Sequence, residues 1–405
     1  MELETLRRRF ADLVVRVGVN VRPGQHVVVQ ADLGHAEIVR DLTERAYAAG
    51  ARLVEVEWTD GYVRRSAVAH ATVETLSDSR ASRLAQISEW ARDGVALVSL
   101  TGDPHPNLLA GLDPAKVAAT PLDEVNARRA AMMGGQMTWT IVAAPNPGWA
   151  NQVFGEPDLD RLWQAVGLAM RLDQSDPVAA WQERTQALAA RAEALDALEL
   201  TSVRYLADGT DLTVGLLPGT RWKGGGLSTA NGVPYLPNIP TEEVFTSPDR
   251  RQAEGRIRLT RPLALRGRQV VEGLAVTFHE GRIVDVTATS GAEAVLAELE
   301  TDPGARSLGE VSLVDRESRI AKAGVVFHDT LFDENAACHV AWGQSFPFAV
   351  AGGPAMSPDE RFELGLNRSA VHTDVVIGGA GMTVTGTGPH GTVDILRDDE
   401  WVLPS

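Results

Sequence analysis

The stretch Gln25-His26-Val27-Val28-Val29-Gln30 carries three consecutive valines and follows the turn signal Pro23-Gly24. A β-branched run behind a turn signal predicts a strand. Apolar residues at helical spacing over 35–49 predict a helix that ends at Gly50, and residues 53–58 form the next strand-like run. The chain therefore begins with a strand, a helix and a second strand in turn.

The same alternation continues to about residue 144. Helices are predicted at 81–93 and 122–133, and nearly continuous apolar runs at 95–100 and 139–144 predict strands. Strands that alternate with helices and lack a polar face predict a parallel sheet covered on both sides. We therefore expect an α/β N-terminal domain with a mainly parallel sheet over residues 1–195, which serves as scaffold and cleft wall.

The pattern changes after Leu198. Strand-like runs are now joined by turn pairs such as Asp208-Gly209 and Glu280-Gly281, which are typical of hairpins. Residues 386–391 match Gly-x-Gly-x-x-Gly, but no helix follows them, so they predict a hairpin turn and not a nucleotide-binding loop. The second half, residues 196–405, is predicted to be an α+β domain with antiparallel strands.

The composition excludes several classes of partner. The 405 residues carry a net charge of −16, with 44% hydrophobic and 23% charged residues, which is typical of a globular protein. An acidic chain argues against nucleic-acid or anionic-membrane partners, and no apolar run reaches the ~18 residues of a membrane span. The first residues lack the apolar centre of a signal peptide, so we expect a cytoplasmic protein. Cys338 is the only cysteine, so His, Asp and Glu must hold any metal.

The stretch Asp333-Glu334-Asn335-Ala336-Ala337-Cys338-His339-Val340-Ala341-Trp342-Gly343 places two carboxylates, an amide, a thiol and an imidazole within seven residues. With Asp333 as N-cap and Gly343 as stop, it predicts a short buried helix from which His339 projects. A buried imidazole needs a partner, and a metal ion is one candidate. Cys338 and His339 would point about 100° apart on this helix, so Cys338 is expected to be a core residue and not a nucleophile.

Three further segments of the second half carry candidate ligands. His372 and Asp374 lie two residues apart on a predicted strand and share a face, as either a chelating pair or a simple hydrogen-bonded pair. In Thr241-Glu242-Glu243, an extended chain would turn one acid inward and the other outward, although a solvated loop is the alternative. Glu310 directly follows Gly309 at the start of a predicted strand. Considered alone, it would be an ordinary surface residue.

Together these segments supply three acids and two imidazoles, all in the second half. Oxygen and nitrogen donors in this number suit a dinuclear site for divalent metals. Two metals about 3.5–4 Å apart fit a hydrolase that activates a water and clamps the scissile group.

Four separated blocks resemble those of the M29 family of metallo-aminopeptidases, the aminopeptidase T group. In the family's order they are Asn238–Pro248, Leu308–Val311, Asp333–His339 and Val371–Asp374. Residues 17–20, 147–150 and 209–216 agree as well, so the likeness spans nearly the whole chain.

This resemblance implies a dinuclear metal site in the C-terminal domain. The ligands that it implies are Glu243, Glu310 (bridging), His339, His372 and Asp374. A one-residue slip from Glu243 to Glu242 stays open. The resemblance also implies two zinc or cobalt ions per chain, short peptide substrates, and a homodimer whose subunits enclose the sites.

One position departs from the family pattern. The family's catalytic tyrosine stands seven residues after the His339 position, where this chain has Phe346. Phenylalanine keeps the ring and loses the hydroxyl group. If that hydroxyl stabilises the oxyanion, its loss costs roughly 10²–10³ in rate. Ser345 and residues of the other domain are candidates for a replacement donor.

The activity implied is the removal of N-terminal amino acids from short peptides. A metal-activated water would attack the first peptide carbonyl, with Glu242 or Glu334 as candidate general base. Two alternatives stay open. One is a mononuclear non-haem iron oxygenase that uses His339, His372 and Asp374. The other is a non-catalytic relic with a peptide-binding role.

Overall fold

The computed structural model describes residues 1–265 and 270–404. Backbone contacts divide the chain into two compact units. The first comprises Met1–Gln182 and Gly226–Pro240, and the second comprises Glu183–Gly225 and Thr241–Ser405. The contacts divide the chain at residue 182 and again at residues 225 and 240. The helix Pro177–Ala197 contains both the first division and the boundary predicted near residue 195, which stays a prediction.

The helices are spread over both units. They are Leu3–Leu13 (α1), Ala36–Ala48 (α2), Gly61–His70 (α3), Val73–Ser77 (α4), Ala81–Asp93 (α5), Pro114–Ala118 (α6), Leu122–Met133 (α7), Pro147–Phe154 (α8), Leu159–Ala169 (α9), Pro177–Ala197 (α10), Ala292–Leu299 (α11), Arg319–Lys322 (α12), Thr330–Asp333 (α13) and Pro358–Leu364 (α14). Within the two described ranges, none of them combines the length and the hydrophobicity needed to cross a bilayer.

The strands range in length from two to eleven residues. They are His26–Asp32 (β1), Leu53–Thr59 (β2), Ala96–Thr101 (β3), Thr138–Ala143 (β4), Ser202–Ala207 (β5), Thr210–Leu216 (β6), Leu227–Ser228 (β7), Pro234–Tyr235 (β8), Asn238–Ile239 (β9), Val244–Thr246 (β10), Pro248–Arg258 (β11), Leu263–Ala264 (β12), Val270–Val271 (β13), Ala275–His279 (β14), Arg282–Thr287 (β15), Leu308–Leu313 (β16), His339–Gly343 (β17), His372–Val376 (β18), Thr383–Gly388 (β19), Gly391–Arg397 (β20) and Glu400–Trp401 (β21).

The first unit is built on a parallel sheet with the strand order β2-β1-β3-β4-β9. Val27, Val28 and Val29 of β1 are each at most 1% exposed. Because consecutive strand residues point to opposite faces, this burial shows that both faces of β1 are covered. The predicted α/β architecture with a parallel sheet is confirmed. Strand β9 pairs with β4, which explains why residues 226–240 belong to this unit.

The second unit contains antiparallel sheets, as the sequence predicts. One has eight strands in the order β15-β14-β11-β6-β5-β19-β20-β21, and another has four strands in the order β10-β16-β17-β18. The two sheets share one hydrophobic core, to which Tyr205 contributes from the large sheet and Val311, Val340 and Val375 from the small one. The small sheet therefore buries one face and leaves the other for polar residues.

The helix predicted over residues 333–343 is wrong. Helix α13 ends at Asp333, a 3-10 turn covers Glu334–Ala336, and β17 begins at His339. Cys338 lies in the core as expected, but Val340 and Trp342 alternate with polar positions at the period of a strand. Strand β17 pairs with β16 on one side and β18 on the other, and this tertiary pairing overrides the local pattern.

Gly343 ends β17 at a point that only glycine fits. Its φ is +100°, and a Cβ atom there would lie 2.2 Å from the carbonyl oxygen of Val371. Gly343 faces His372 across the ladder. The close approach of these two backbones therefore sets the register of β17 against β18.

Replacing Gly343 by alanine is expected to lower the free energy of unfolding by more than the ~1–3 kcal/mol that a strained φ alone costs. The new Cβ would also push the Val371 carbonyl away. Gly391→Ala is the matched control, because its φ is +102° and nothing lies within 4 Å of its added Cβ. Urea unfolding measures both variants, and equal losses would contradict the clash at Gly343.

Candidate metal centre

Acidic and imidazole side chains collect on the polar face of the four-stranded sheet. Glu310 lies opposite Ala341, which in turn lies opposite Asp374. His339 precedes Ala341 by two residues, and His372 precedes Asp374 by two, so all five residues share this face. The sheet thus gathers residues that are far apart in the sequence.

Ala341 occupies the centre of this polar face. It is fully buried, and its methyl group is the side chain that β17 places between Glu310 and Asp374. Opposite residues on neighbouring strands have Cβ atoms about 4.5–5.5 Å apart. A side chain as short as alanine therefore leaves space between the two carboxylates.

Glu310 faces both imidazoles. Its Oε1 is 3.8 Å from Nε2 of His339, and its Oε2 is 3.2 Å from Nε2 of His372. Glu243 Oε2 lies 3.1 Å from Nε2 of His339, and Asp374 Oδ1 lies 3.5 Å from Nε2 of His372. The result is two groups of possible ligands that share Glu310, with the ligand atoms of each group within 4.8 Å of one another.

A backbone carbonyl group sets the tautomer of His372. Its Nδ1 is 2.8 Å from the backbone carbonyl oxygen of Gln344. A carbonyl oxygen only accepts, so Nδ1 carries the hydrogen. In the neutral ring, the lone pair of Nε2 would then point at the carboxylates of Glu310 and Asp374. A proton or a metal ion must lie between them, and this arrangement is common among metal-binding histidines.

The charges of these groups shift each other's pKa. Burial lowers the pKa of His339, but the nearby carboxylates of Glu243 and Glu310 outweigh burial and raise the pKa well above its usual value. Burial lowers the pKa of His372, and the opposing charge of Asp374 likewise raises it well above the ordinary range. In the metal-free protein, protons on the imidazoles therefore balance the carboxylates, and a divalent ion would take their place.

Comparison with known proteins identifies the family. The sequence profile of the family described as "Thermophilic metalloprotease (M29)" matches residues 4–401. The chain belongs to the M29 family. The resemblance seen in the four sequence blocks is confirmed.

Relatives of this M29 chain are similar over its whole length. It is 41% identical over 403 residues to aminopeptidase T of Thermus aquaticus, covering 98% of each chain. It is 38% identical over 403 residues to aminopeptidase 2 of Geobacillus stearothermophilus, covering 98% of this chain and 97% of that one. The solved structure of wild-type AmpT from Thermus thermophilus matches with a TM-score of 0.91 and 37% identity, covering 99% of this chain and 100% of that one. The fold is therefore shared from end to end.

The M29 chain uses its adjacent acids Glu242 and Glu243 differently. Glu243 faces His339 and accepts a hydrogen bond from Ser312 Oγ at 2.7 Å. Glu242 is fully buried and pairs with Arg184, whose Nε is 2.7 Å from Glu242 Oε2. The expectation that one acid points outward is therefore wrong, because an arginine from α10 allows both to be buried.

Phe346 lies beside the candidate ligands. Its ring contacts the ring of His372 edge-on, with the centroids 5.1 Å apart. It stacks on Phe348 at 5.3 Å and meets Phe245 at 5.5 Å. An aromatic ring thus stands at the edge of the site, but it carries no hydrogen-bond donor.

Sequence reasoning did not assign a role to several supporting residues. Ser312 orients Glu243, and its position two residues after Glu310 was a signal that it shares the polar face. Asn335 Oδ1 accepts the backbone N–H of Glu242 at 2.7 Å, and so joins the first sequence block to the third. Arg184 offered no local signal, since it lies in the middle of a long helix.

The different surroundings of the two acids predict different effects of mutation. Glu243→Gln is expected to weaken divalent-metal binding by at least about 100-fold, more than the loss of an outer-shell partner usually costs. Glu242→Gln is the control, which should keep the metal but lose ~3 kcal/mol of stability because Arg184 loses its charged partner. Metal titration and urea unfolding separate the two effects. Retained metal affinity in Glu243→Gln would contradict the assignment.

Proposed function

We propose that this M29 chain is a dinuclear metallo-aminopeptidase that releases N-terminal amino acids from short peptides. The similar proteins named above are called aminopeptidases, which supports the reaction class. The observation that carries the proposal of two metals is the position of Glu310, whose two oxygens face different imidazoles.

The two proposed ligand sets share Glu310. One adds Glu243 and His339, and the other adds His372 and Asp374. The donors are carboxylates and imidazoles, which suit divalent zinc or cobalt. When bound, such ions lower the pKa of a water molecule and polarise the scissile carbonyl group.

Cys338 is not proposed as a ligand although it adjoins His339 in the sequence. Its side chain is fully buried in the core, and burial raises the pKa of the thiol to about 12. Its Sγ lies 3.4 Å from the carbonyl oxygen of Val314, to which it donates. The thiol therefore stays neutral on the face of the sheet opposite the ligands.

Glu334 is proposed to transfer a proton during the reaction. Burial raises its pKa well above the ordinary value, and the charges of Asp374 and Glu243 raise it further. Glu334 lines the same cavity as Asp374, and a carboxyl group at this place would take a proton from water and return it to the leaving amine. Glu242 is not proposed for this role, since it pairs with Arg184.

Two further proposals rest on the family likeness and the composition. A homodimer is expected from the likeness to the M29 family, and a cytoplasmic location is expected from a composition with a single cysteine. The net charge of −16 argues against nucleic-acid and anionic-membrane partners.

The two alternative functions make different use of the same residues. A mononuclear iron oxygenase would need His339, His372 and Asp374 alone. The proximity of Glu243 and Glu310 to the imidazoles favours two ions instead. A non-catalytic relic would bind metal without turnover, which experiment distinguishes directly.

Replacing Glu310 by alanine tests the proposal. The wild-type protein is expected to hold about two zinc or cobalt ions per chain, and the variant fewer than one, because both ligand sets lose a carboxylate. Hydrolysis of Leu-p-nitroanilide should fall to background. Glu254→Ala is the control, since Glu254 is exposed and pairs with His279 away from the site.

Each outcome of this experiment distinguishes the functions. Unchanged turnover in Glu310→Ala would end the proposal. About one iron per wild-type chain would favour the oxygenase. Bound metal without turnover on a panel of dipeptides would favour the relic.

A hydroxyl group restored beside His372 is expected to raise the rate. In Phe346→Tyr the phenol would supply the missing oxyanion donor, and kcat should rise by roughly 10²–10³ with unchanged metal content. Phe348→Tyr is the matched control. Phe348 stacks on Phe346, but it is Phe346 whose ring contacts His372. An unchanged kcat in Phe346→Tyr would show that a phenol at this position is not the missing donor.

A further inference from the structure

A cavity in the second unit has no part in the proposed reaction. Its volume is about 430 Å³, and Arg250, Arg282 and Arg368 line it together with Phe362, Asp302 and Asn367. Sites for small ligands commonly measure about 300–1,000 Å³. Three guanidinium groups around one cavity are notable in a chain whose net charge is −16.

The one carboxylate in this lining makes its hydrogen bonds with two loops and not with the arginines. Asp302 Oδ1 accepts the backbone N–H groups of Gly304 and Ala305, at 2.8 and 3.1 Å. Its Oδ2 accepts from Ser369 Oγ at 3.0 Å and from the backbone N–H of Ala370 at 2.7 Å. Asp302 thus holds two loops together, and its oxygens are already occupied.

Arg250 stacks on an aromatic ring and has no side-chain ion pair within the part of the chain that the structure describes. Its guanidinium lies over the ring of Phe362, with Cζ 3.8 Å from the centroid. Among the described residues its buried Nε has no hydrogen-bond partner. The neighbouring carboxylate of Asp249 is committed to Arg251 through two hydrogen bonds of 2.8 and 2.7 Å. Phe362 therefore orients a charged group whose Nε donor is left without a hydrogen bond among the described residues.

The other two arginines are only weakly committed. Arg368 pairs with Asp359 at 3.0 Å, but both side chains are exposed, so the pair contributes little. Arg282 donates to the carbonyl oxygen of Pro303 at 3.3 Å. Both retain further N–H groups, because a guanidinium carries five.

We propose that this cavity binds a small oxyanion, with Arg250 as the principal contact and Arg282 and Arg368 as supporting cations. A planar guanidinium group donates two parallel hydrogen bonds to a pair of oxygens in phosphate or carboxylate. A halide ion has no such pair of oxygens. The enclosed size selects a small molecule or a single anionic group. This site is independent of the proposed peptidase reaction.

Thermal unfolding of the full-length, metal-loaded protein tests the site. Phosphate and succinate are titrated separately against sodium chloride of equal ionic strength. The wild type is expected to show a saturable rise in Tm with at least one of them. Arg250→Gln should weaken that binding by about tenfold or more, because charge and paired donors are both lost. Arg204→Gln is the control, since Arg204 is an exposed arginine that pairs with Asp211.

The controls separate this cavity from the candidate metal centre. Phosphate that binds to divalent ions would shift Tm equally in Arg250→Gln and in wild type, and that result would overturn the proposal. A wild-type shift no larger than that in chloride would overturn it too. A response to phosphate alone indicates a phosphate-bearing ligand, and a response to both anions indicates that carboxylates bind as well. If Arg250→Gln does not fold, Arg282→Gln, at an exposed position, replaces it with the same expected direction.

Discussion

The second unit depends on one constraint, which is that it buries negatively charged carboxylates close to one another. The carboxylates of Glu243 and Glu310 are each less than 10% exposed, and burial of such charges is costly unless positive charge compensates it. His339 and His372 supply that compensation when protonated, and divalent ions would supply more. The backbone ladder keeps the charges in place, because the strands are also fixed by the core on their other face.

A second set of charges joins α10 to the same region. Arg184 pairs with Glu242, and Arg191 from the next turns of the helix pairs with Asp315, just beyond the end of β16. Buried ion pairs add little net stability, but losing one partner is costly. Their main effect here is geometric: Arg184 holds the residue next to Glu243, and Arg191 holds the chain that follows β16.

The sequence predicted the parts of the fold that local patterns determine. Alternating apolar runs and helices indicated the parallel sheet, and turn pairs such as Asp208-Gly209 lie where hairpins connect strands. The segment at His339 was mistaken for a helix because its strand pairing involves β16 and β18, which are distant in the sequence. Local propensity carries no information about such partners.

The candidate site was partly predictable for the same reason. His372 and Asp374 share a face because of strand geometry alone, and the family resemblance implied the other three residues. The sequence could not decide whether Glu242 or Glu243 is the candidate ligand. The ion pair between Arg184 and Glu242 depends on tertiary structure, which local patterns do not reveal. The surroundings of Arg250 could not be predicted either, since the stacking of its side chain on Phe362 joins segments more than a hundred residues apart.

Ala341 places a small side chain between two acidic residues on neighbouring strands. The strands on either side project long acidic groups, while the strand between them contributes a single methyl group. A valine or leucine at this position would fill the gap with hydrocarbon and leave the backbone pairing intact. A change at this one position would therefore be enough to separate the proposed ligand groups while the strands that carry them stay paired.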